Sequence, residues 1–214
     1  MKVKICGIKN ERDLVMALNA NADAVGFITD VPVDSPRNIS LSSASQLIAR
    51  VPIFVISVLV IMPKNAEEAI NMIQMAKPTA VQIHNALPLS EIRNIRGTGV
   101  KIIKTIPVSE RADAKTLIDQ IDNLSGIVDA VLLDTAIGGK TGGTGVSHNW
   151  ELSAKVVLNA SMPVILAGGL NPSNIRDAIR IVRPYAVDTA SGVETNRKKD
   201  EKKVNDFINN ARIS

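Results

Sequence analysis

The sequence predicts a single α/β domain over residues 1–214, folded as a (β/α)8 TIM barrel. Three observations carry that expectation. Short β-branched apolar segments alternate with longer segments of helical periodicity along the whole chain. The strand candidates start roughly 21 to 35 residues apart, enough for a helical crossover between parallel strands. Aromatic residues make up 2% of a chain that is 45% hydrophobic, so Ile, Val, Leu, Ala and Met must fill the core, as they do in parallel sheets buried on both faces. No linker, low-complexity stretch or composition break divides the chain. Strand count alone does not close a barrel, so a doubly wound open sheet is the alternative. At 214 residues the chain is short for a barrel, which calls for brief loops.

The elements follow in order. Strand 2–7 sets Val3 and Ile5 on one side and Lys4 and Cys6 on the other, and helix 10–21 comes next. Strand 23–28 precedes helix 41–50, which Ser40 caps and Pro52 prevents from continuing. Strand 53–60 lies in the longest apolar stretch, Ile53 to Met62, about half of what a membrane-spanning helix needs. Helix 65–76 carries Ala66, Ala69, Ile70, Ile73 and Ala76 on one face. Strand 79–84 opposes Val81 and Ile83 to Gln82 and His84, and helix 88–95 follows. Strand 100–106 and helix 109–124 lead to strand 128–134, where Val131 and Leu133 oppose Leu132 and Asp134. Helix 149–159 and strand 163–167 precede helix 172–181, whose start is read at Asn171-Pro172, a cap residue before a first-turn proline. Strand 185–189 carries Asp188 opposite in parity to Val187, and helix 199–212 closes the chain.

Composition narrows the function. One cysteine makes no internal disulfide, and with only His84 and His148 beside it there is no zinc pattern, so no metal is expected. The N-terminal residues enter a strand at once, without a long apolar signal region. A soluble, cytoplasmic protein without membrane partners is expected. The net charge is +4, and the one basic run, Arg197-Lys198-Lys199 with Lys202-Lys203, is broken by Asp200 and Glu201 and reads as a solvated helix start. With so few aromatics to stack bases, no nucleic-acid partner is expected, and the mild positive charge suits a small anionic substrate.

In a barrel, chemistry gathers at the C-terminal ends of strands. Parity brings Cys6, His84, Asp134 and Asp188 to those ends on the inward face. Each has a plain reading: Cys6 as a small buried hydrophobe, and His84-Asn85 and Asp134-Thr135 as strand-ending turns. Their coincidence on four strands favours a site. Gly168-Gly169 follows the seventh strand and Ser191-Gly192 the eighth, where backbone N–H groups can approach a phosphate. The segment from Gly138 to Gly145 holds five glycines in eight residues, lacks the nucleotide P-loop order, and reads as a mobile lid.

These residues resemble the phosphoribosylanthranilate isomerase family of tryptophan biosynthesis. Lys4-Ile5-Cys6-Gly7-Ile8 is similar to its opening strand, and Asp23-Ala24-Val25-Gly26-Phe27-Ile28 with Ser35-Pro36-Arg37 to its second strand and loop. Val81-Gln82-Ile83-His84, Leu133-Asp134 with Gly142-Gly143-Thr144-Gly145, Leu166 to Pro172 and Val187 to Glu194 resemble the remaining signatures, in order, from residue 2 to about 205. The resemblance implies an Amadori rearrangement by acid–base catalysis without metal or redox cofactor. It implies Asp134 as general acid and Cys6 as general base. It implies Arg37 on the anthranilate moiety, His84 and Asp188 as further polar contacts, and Gly168, Gly169, Ser191 and Gly192 on the phosphate. Gly142, Gly143 and Gly145 would form the lid, and monomer and homodimer both remain open. Ser147-His148-Asn149-Trp150 departs from the family's usual Phe-Asp-Trp ending, although Asn149 can still cap a helix. The segment after Glu194 lacks the family's Pro-Gly turn, so its shape is unassigned. The rival readings are an aminoaldose isomerase of histidine synthesis, which generally pairs two aspartates, and a barrel that binds phosphorylated ligands without turnover.

Overall fold

The structure, a computed structural model, describes residues 1–109, 111–137, 140–141 and 149–213, with backbone alone at 136, 137, 140 and 141. The predicted lid glycines Gly142, Gly143 and Gly145, and His148, lie outside the described residues.

Strand and helix alternate as the sequence pattern predicts. The first half runs β1 (Lys2–Cys6), α1 (Glu11–Asn19), β2 (Ala24–Ile28), α2 (Leu41–Ile48), β3 (Ile56–Ile61), α3 (Ala66–Ala76), β4 (Ala80–Ile83) and α4 (Leu89–Arg96). The second half runs β5 (Lys101–Val108), α5 (Ala114–Asp122), β6 (Ala130–Ile137), β7 (Lys140–Thr141), α6 (Trp150–Asn159), β8 (Val164–Leu166), α7 (Ile175–Val182), β9 (Ala186–Thr189), β10 (Glu194–Thr195), β11 (Lys198–Lys199) and α8 (Glu201–Ile213). Parallel pairing joins β5-β4-β3-β2-β1-β9-β8-β6, and a further β5–β6 pairing closes the sheet. The barrel is therefore the architecture and the open sheet is not. β7 is a two-residue antiparallel extension of β6.

Helix starts follow local chemistry. Asn10, Ser40, Asn65, Asp113 and Asn149 each accept a backbone N–H of the first turn, satisfying donors that the helix leaves orphaned. The Asn171-Pro172 start is corrected. α7 begins at Ile175, because Asn171 uses its Oδ1 on the amide of Ser173 in a turn and Asn174 takes the cap position. β3 also starts later than predicted: Ile53 and Phe54 are 90% and 94% exposed, in the loop that leads into the strand.

Two apolar layers hold the barrel. Val3, Ile5, Val25, Phe27, Leu59, Ile61, Val81, Ile83, Val131, Leu133 and Val187 face outward and pack under the helices. Cys6, Val58, Val60, Ala80, Ile103, Ala130, Leu132, Ile165 and Ala186 fill the interior. The interior set has no aromatic side chain, and its alanines, Ala80, Ala130 and Ala186, begin their strands at the end away from the cavity.

Candidate active site

The C-terminal ends of the strands surround a cavity of about 820 Å³ lined by Cys6, Arg37, Gln82, His84, Asp134, Gly168, Gly169, Asp188, Ser191, Glu194 and Arg197, among others. Of the sequence-predicted residues, Gly192 is the described one that does not line it. A Cβ there would sit 1.9 Å from the carbonyl oxygen of Leu170, so Gly192 lets the loop after β9 cross the loop after β8.

Strand register sets the polar floor. Lys4 on β1 pairs with Asp188 on β9, which places both inside the barrel. Lys4 Nζ donates to Asp188 Oδ2 at 3.0 Å and to Gln82 Oε1 at 2.9 Å, while Gln82 Nε2 donates to Thr105 Oγ1 at 3.0 Å. The network spans β1, β4, β5 and β9 and satisfies a buried lysine that would otherwise cost several kcal/mol. Asp188 Oδ1 is buried and meets no partner among the described residues. Gly26 on β2 makes room beside this cluster: a Cβ there would stand 2.7 Å from Cys6 Sγ and 3.0 Å from Lys4 Cε.

Electrostatics separates the two candidate catalysts. Burial pushes the Asp134 carboxyl up to about 7, and the Asp188 carboxylate adds to the shift against opposition from the Thr135 amide and Lys4. Thr135 N–H donates to Asp134 Oδ1 at 2.9 Å, which fixes the carboxyl's plane. Burial also pushes the Cys6 thiol up; Lys4 and Lys199 pull it down, and Asp188 adds to the rise. Lys4 itself stays charged, because Asp188 and Cys6 outweigh the burial that opposes its charge.

The rim is built around Arg37. Its Nε and Nη2 donate to Glu194 Oε1 and Oε2, both at 2.8 Å. Glu194 Oε1 also accepts from Lys199 Nζ at 2.9 Å. Burial opposes the Glu194 charge, but Arg37 and Lys199 hold the carboxyl below its usual range. The reading of the basic run as a solvated helix start is therefore corrected at Lys199, whose side chain is 1% exposed. β10 and β11 form an antiparallel hairpin, with Asn196 and Arg197 both at positive φ in its turn. Two left-handed residues match a type I′ turn.

In the loop after β8, Gly168 and Gly169 have φ of +85° and +68°. Gly169 O accepts from the side-chain amides of Asn171 and Asn174, which pins the loop. No backbone acceptor among the described residues takes the N–H of Gly169 or Ser191.

Sequence reasoning missed Lys4, Gln82, Glu194 and Lys199. The parity of Lys4 with Cys6 was a usable signal for Lys4. Nothing in the sequence signals the Glu194–Lys199 pair, because its hairpin turn has no glycine.

Similar proteins and structures identify the family. A family model described as N-(5'-phosphoribosyl)anthranilate isomerase matches residues 3–210. A protein named N-(5'-phosphoribosyl)anthranilate isomerase from Methanosarcina acetivorans is 49% identical, covering 100% of this chain and 94% of the relative. A namesake from Methanosarcina mazei is 47% identical, covering 100% of this chain and 95% of the relative. The crystal structure of phosphoribosyl anthranilate isomerase from Thermotoga maritima superposes with a TM-score of 0.86 at 33% identity, covering 100% of both chains. A structure of such an enzyme in complex with reduced 1-(o-carboxyphenylamino)-1-deoxyribulose 5-phosphate superposes at 0.83 with 32% identity, again covering 100% of both. The chain belongs to the N-(5'-phosphoribosyl)anthranilate isomerase family.

Proposed function

We propose that this chain performs the isomerisation for which its family is named with Asp134 as general acid and Cys6 as general base. The reaction is the rearrangement of N-(5-phosphoribosyl)anthranilate to 1-(2-carboxyphenylamino)-1-deoxyribulose 5-phosphate. The observation that carries the assignment is Asp134, a buried carboxyl titrating at about 7 on the same cavity as Cys6. An acid poised near the working pH is what protonation of a ring oxygen requires.

Asp134 protonates the furanose oxygen, the C1–O bond breaks, and the nitrogen lone pair forms the C1=N bond. Cys6 then removes the C2 proton, and those electrons move to give the enolamine, which tautomerises to the ketone at C2. Thiolate is the basic form of cysteine. Burial favours the Cys6 thiol, and Lys4 and Lys199 are the neighbouring cations that favour its ionisation to the basic thiolate.

Arg37 would meet the anthranilate carboxylate, and His84 and Asp188 the sugar hydroxyls. Backbone N–H groups of Gly168, Gly169, Ser191 and Gly192 would hold the phosphate, supported by the unclaimed amides of Gly169 and Ser191. Gly142, Gly143 and Gly145 would close over the substrate as a lid. The reading requires no metal or redox cofactor and no nucleic-acid or membrane partner, and it places the enzyme in the cytoplasm. A relative from Thermotoga maritima is described as dimeric. In this chain Ile53 and Phe54 are exposed in the loop before β3, at the barrel end away from the cavity, and the reading holds for monomer or homodimer. The test is to supply phosphoribosylanthranilate to the purified chain and follow loss of its fluorescence without added metal. Turnover that falls at least about a hundredfold in both Cys6→Ala and Asp134→Asn supports the assignment; near-normal turnover in either removes that residue's role.

A further inference from the structure

The Arg37 guanidinium has five N–H donors in a fixed plane, arranged as a side edge (Nε and Nη2) and an end edge (Nη1 and Nη2). Glu194 occupies the side edge with both oxygens, each at 2.8 Å. Nη1 donates to no acceptor among the described residues, and Arg37 lines the cavity. The stem of Arg37 lies across the backbone of Gly7: a Cβ on Gly7, whose φ is +76°, would stand 2.6 Å from Arg37 Cδ. The guanidinium is thus gripped at one edge and braced along its stem.

Glu194 is itself fixed. Lys199 Nζ bridges its Oε1 at 2.9 Å and the carbonyl of Ala190 at 2.8 Å, and Lys203 Nζ reaches the Glu194 carbonyl at 2.8 Å. Its side chain is 5% exposed. One buried carboxylate between two cations leaves the cluster with surplus positive charge, which suits an incoming anion. A planar carboxylate matches the free end edge bidentately.

The geometry points to Glu194 as a positioning residue. By gripping the Nε–Nη2 edge of Arg37, it presents the opposite edge to the cavity as the receptor for the aryl carboxylate, and so sets the enzyme's preference for a carboxylated aromatic amine. The Lys199 contact keeps Glu194 ionised and in place. This inference rests on the reading of Arg37 as the carboxylate contact, and the experiment separates the two.

The probes are reduced 1-(o-carboxyphenylamino)-1-deoxyribulose 5-phosphate and its phenylamino counterpart without the carboxyl group, titrated calorimetrically into the full chain. Glu194→Gln is expected to weaken binding of the carboxylated probe at least about tenfold and to leave the counterpart within about twofold, because a neutral amide no longer pairs with the side edge. KM for the substrate should rise in parallel while kcat stays within about threefold, the pattern of lost uniform binding. The double variant Glu194→Gln with Lys199→Met keeps the cluster's net charge and should show the same selectivity loss, which covers the case in which the single variant does not fold. Glu194 variants that bind the carboxylated probe as the parent does, or that weaken both probes alike, overturn the proposal. Arg37→Met distinguishes the reasons. If Arg37→Met leaves the preference for the carboxylated probe at the parent's level, the reading of Arg37 fails; if Arg37→Met loses that preference and Glu194→Gln keeps it, only the positioning role fails.

Discussion

Asp134 is expected to trade stability for chemistry, and its surroundings set the size of the trade. Its carboxyl is pushed from 3.8 up to about 7, first by burial and then by Asp188. The folded chain therefore binds this proton more tightly than the unfolded chain. Below the unfolded value both states are protonated and no penalty exists. As pH rises the unfolded carboxyl ionises freely while the folded one resists, so stability falls until about pH 7 and then levels off. A rise of that size corresponds to about 4 kcal/mol at the plateau. Asn has nearly the same shape and no charge, so Asp134→Asn should stabilise the chain by about 4 kcal/mol near pH 8.5 and by only about 1 kcal/mol near pH 4.5. The same variant should lose at least about a hundredfold in kcat. Denaturant unfolding at both pH values, followed by far-ultraviolet circular dichroism, measures the first effect. An Asn variant whose stability gain does not grow with pH would refute the argument that Asp134 carries a buried, penalised charge. A gain that grows without loss of turnover would refute its role as the acid.

Three further outcomes follow from named contacts. Lys104 is buried between the sheet and the helices, and its pKa falls to about 8 through burial, with two backbone carbonyls as its hydrogen-bond partners. Lys104→Met should therefore stabilise the chain by about 3 kcal/mol at neutral pH, and the gain should shrink as pH rises from about 8 toward 10.5; a gain independent of pH rules this out. Cys6 is the only thiol, so alkylation by iodoacetamide reports on it alone, and its rate should inflect above the ordinary thiol value because burial outweighs Lys4. An inflection at or below that value would show that the neighbouring cations win. Gly168→Ala forces a Cβ to 2.1 Å from Thr135 Oγ1 at a φ of +85°, so it should cost at least about 2 kcal/mol of stability and weaken inhibition by inorganic phosphate. Unchanged melting and phosphate inhibition would place that loop outside the phosphate site.

Much was legible because it rests on local rules. Alternation of β-branched and helical segments specifies eight βα units, since each strand must bury both faces and each helix one. Parity along the strands brings Cys6, Gln82, His84, Asp134 and Asp188 inward, because side chains alternate with period two. Cap residues such as Ser40, Asn65 and Asn149 announce helix starts through hydrogen bonds that span three residues or fewer. What stayed hidden depends on which strands become neighbours. Closure of the barrel needs the β5–β6 pairing, which strand count does not imply. Lys4 finds Asp188 across 184 residues and Gln82 across 78, so the ion pair that sets the site's charge exists only after the barrel closes. The clamp of Arg37 by Glu194 spans 157 residues and depends on a hairpin whose turn uses Asn196 and Arg197 in place of glycine. The sequence by itself determined, through strand parity, that Cys6, His84, Asp134 and Asp188 face inward at the strand ends. Tertiary structure decided which of them share a hydrogen bond and a dielectric, and through that the state of each proton, because burial and neighbouring charge are properties of a position in the fold and not of the residue.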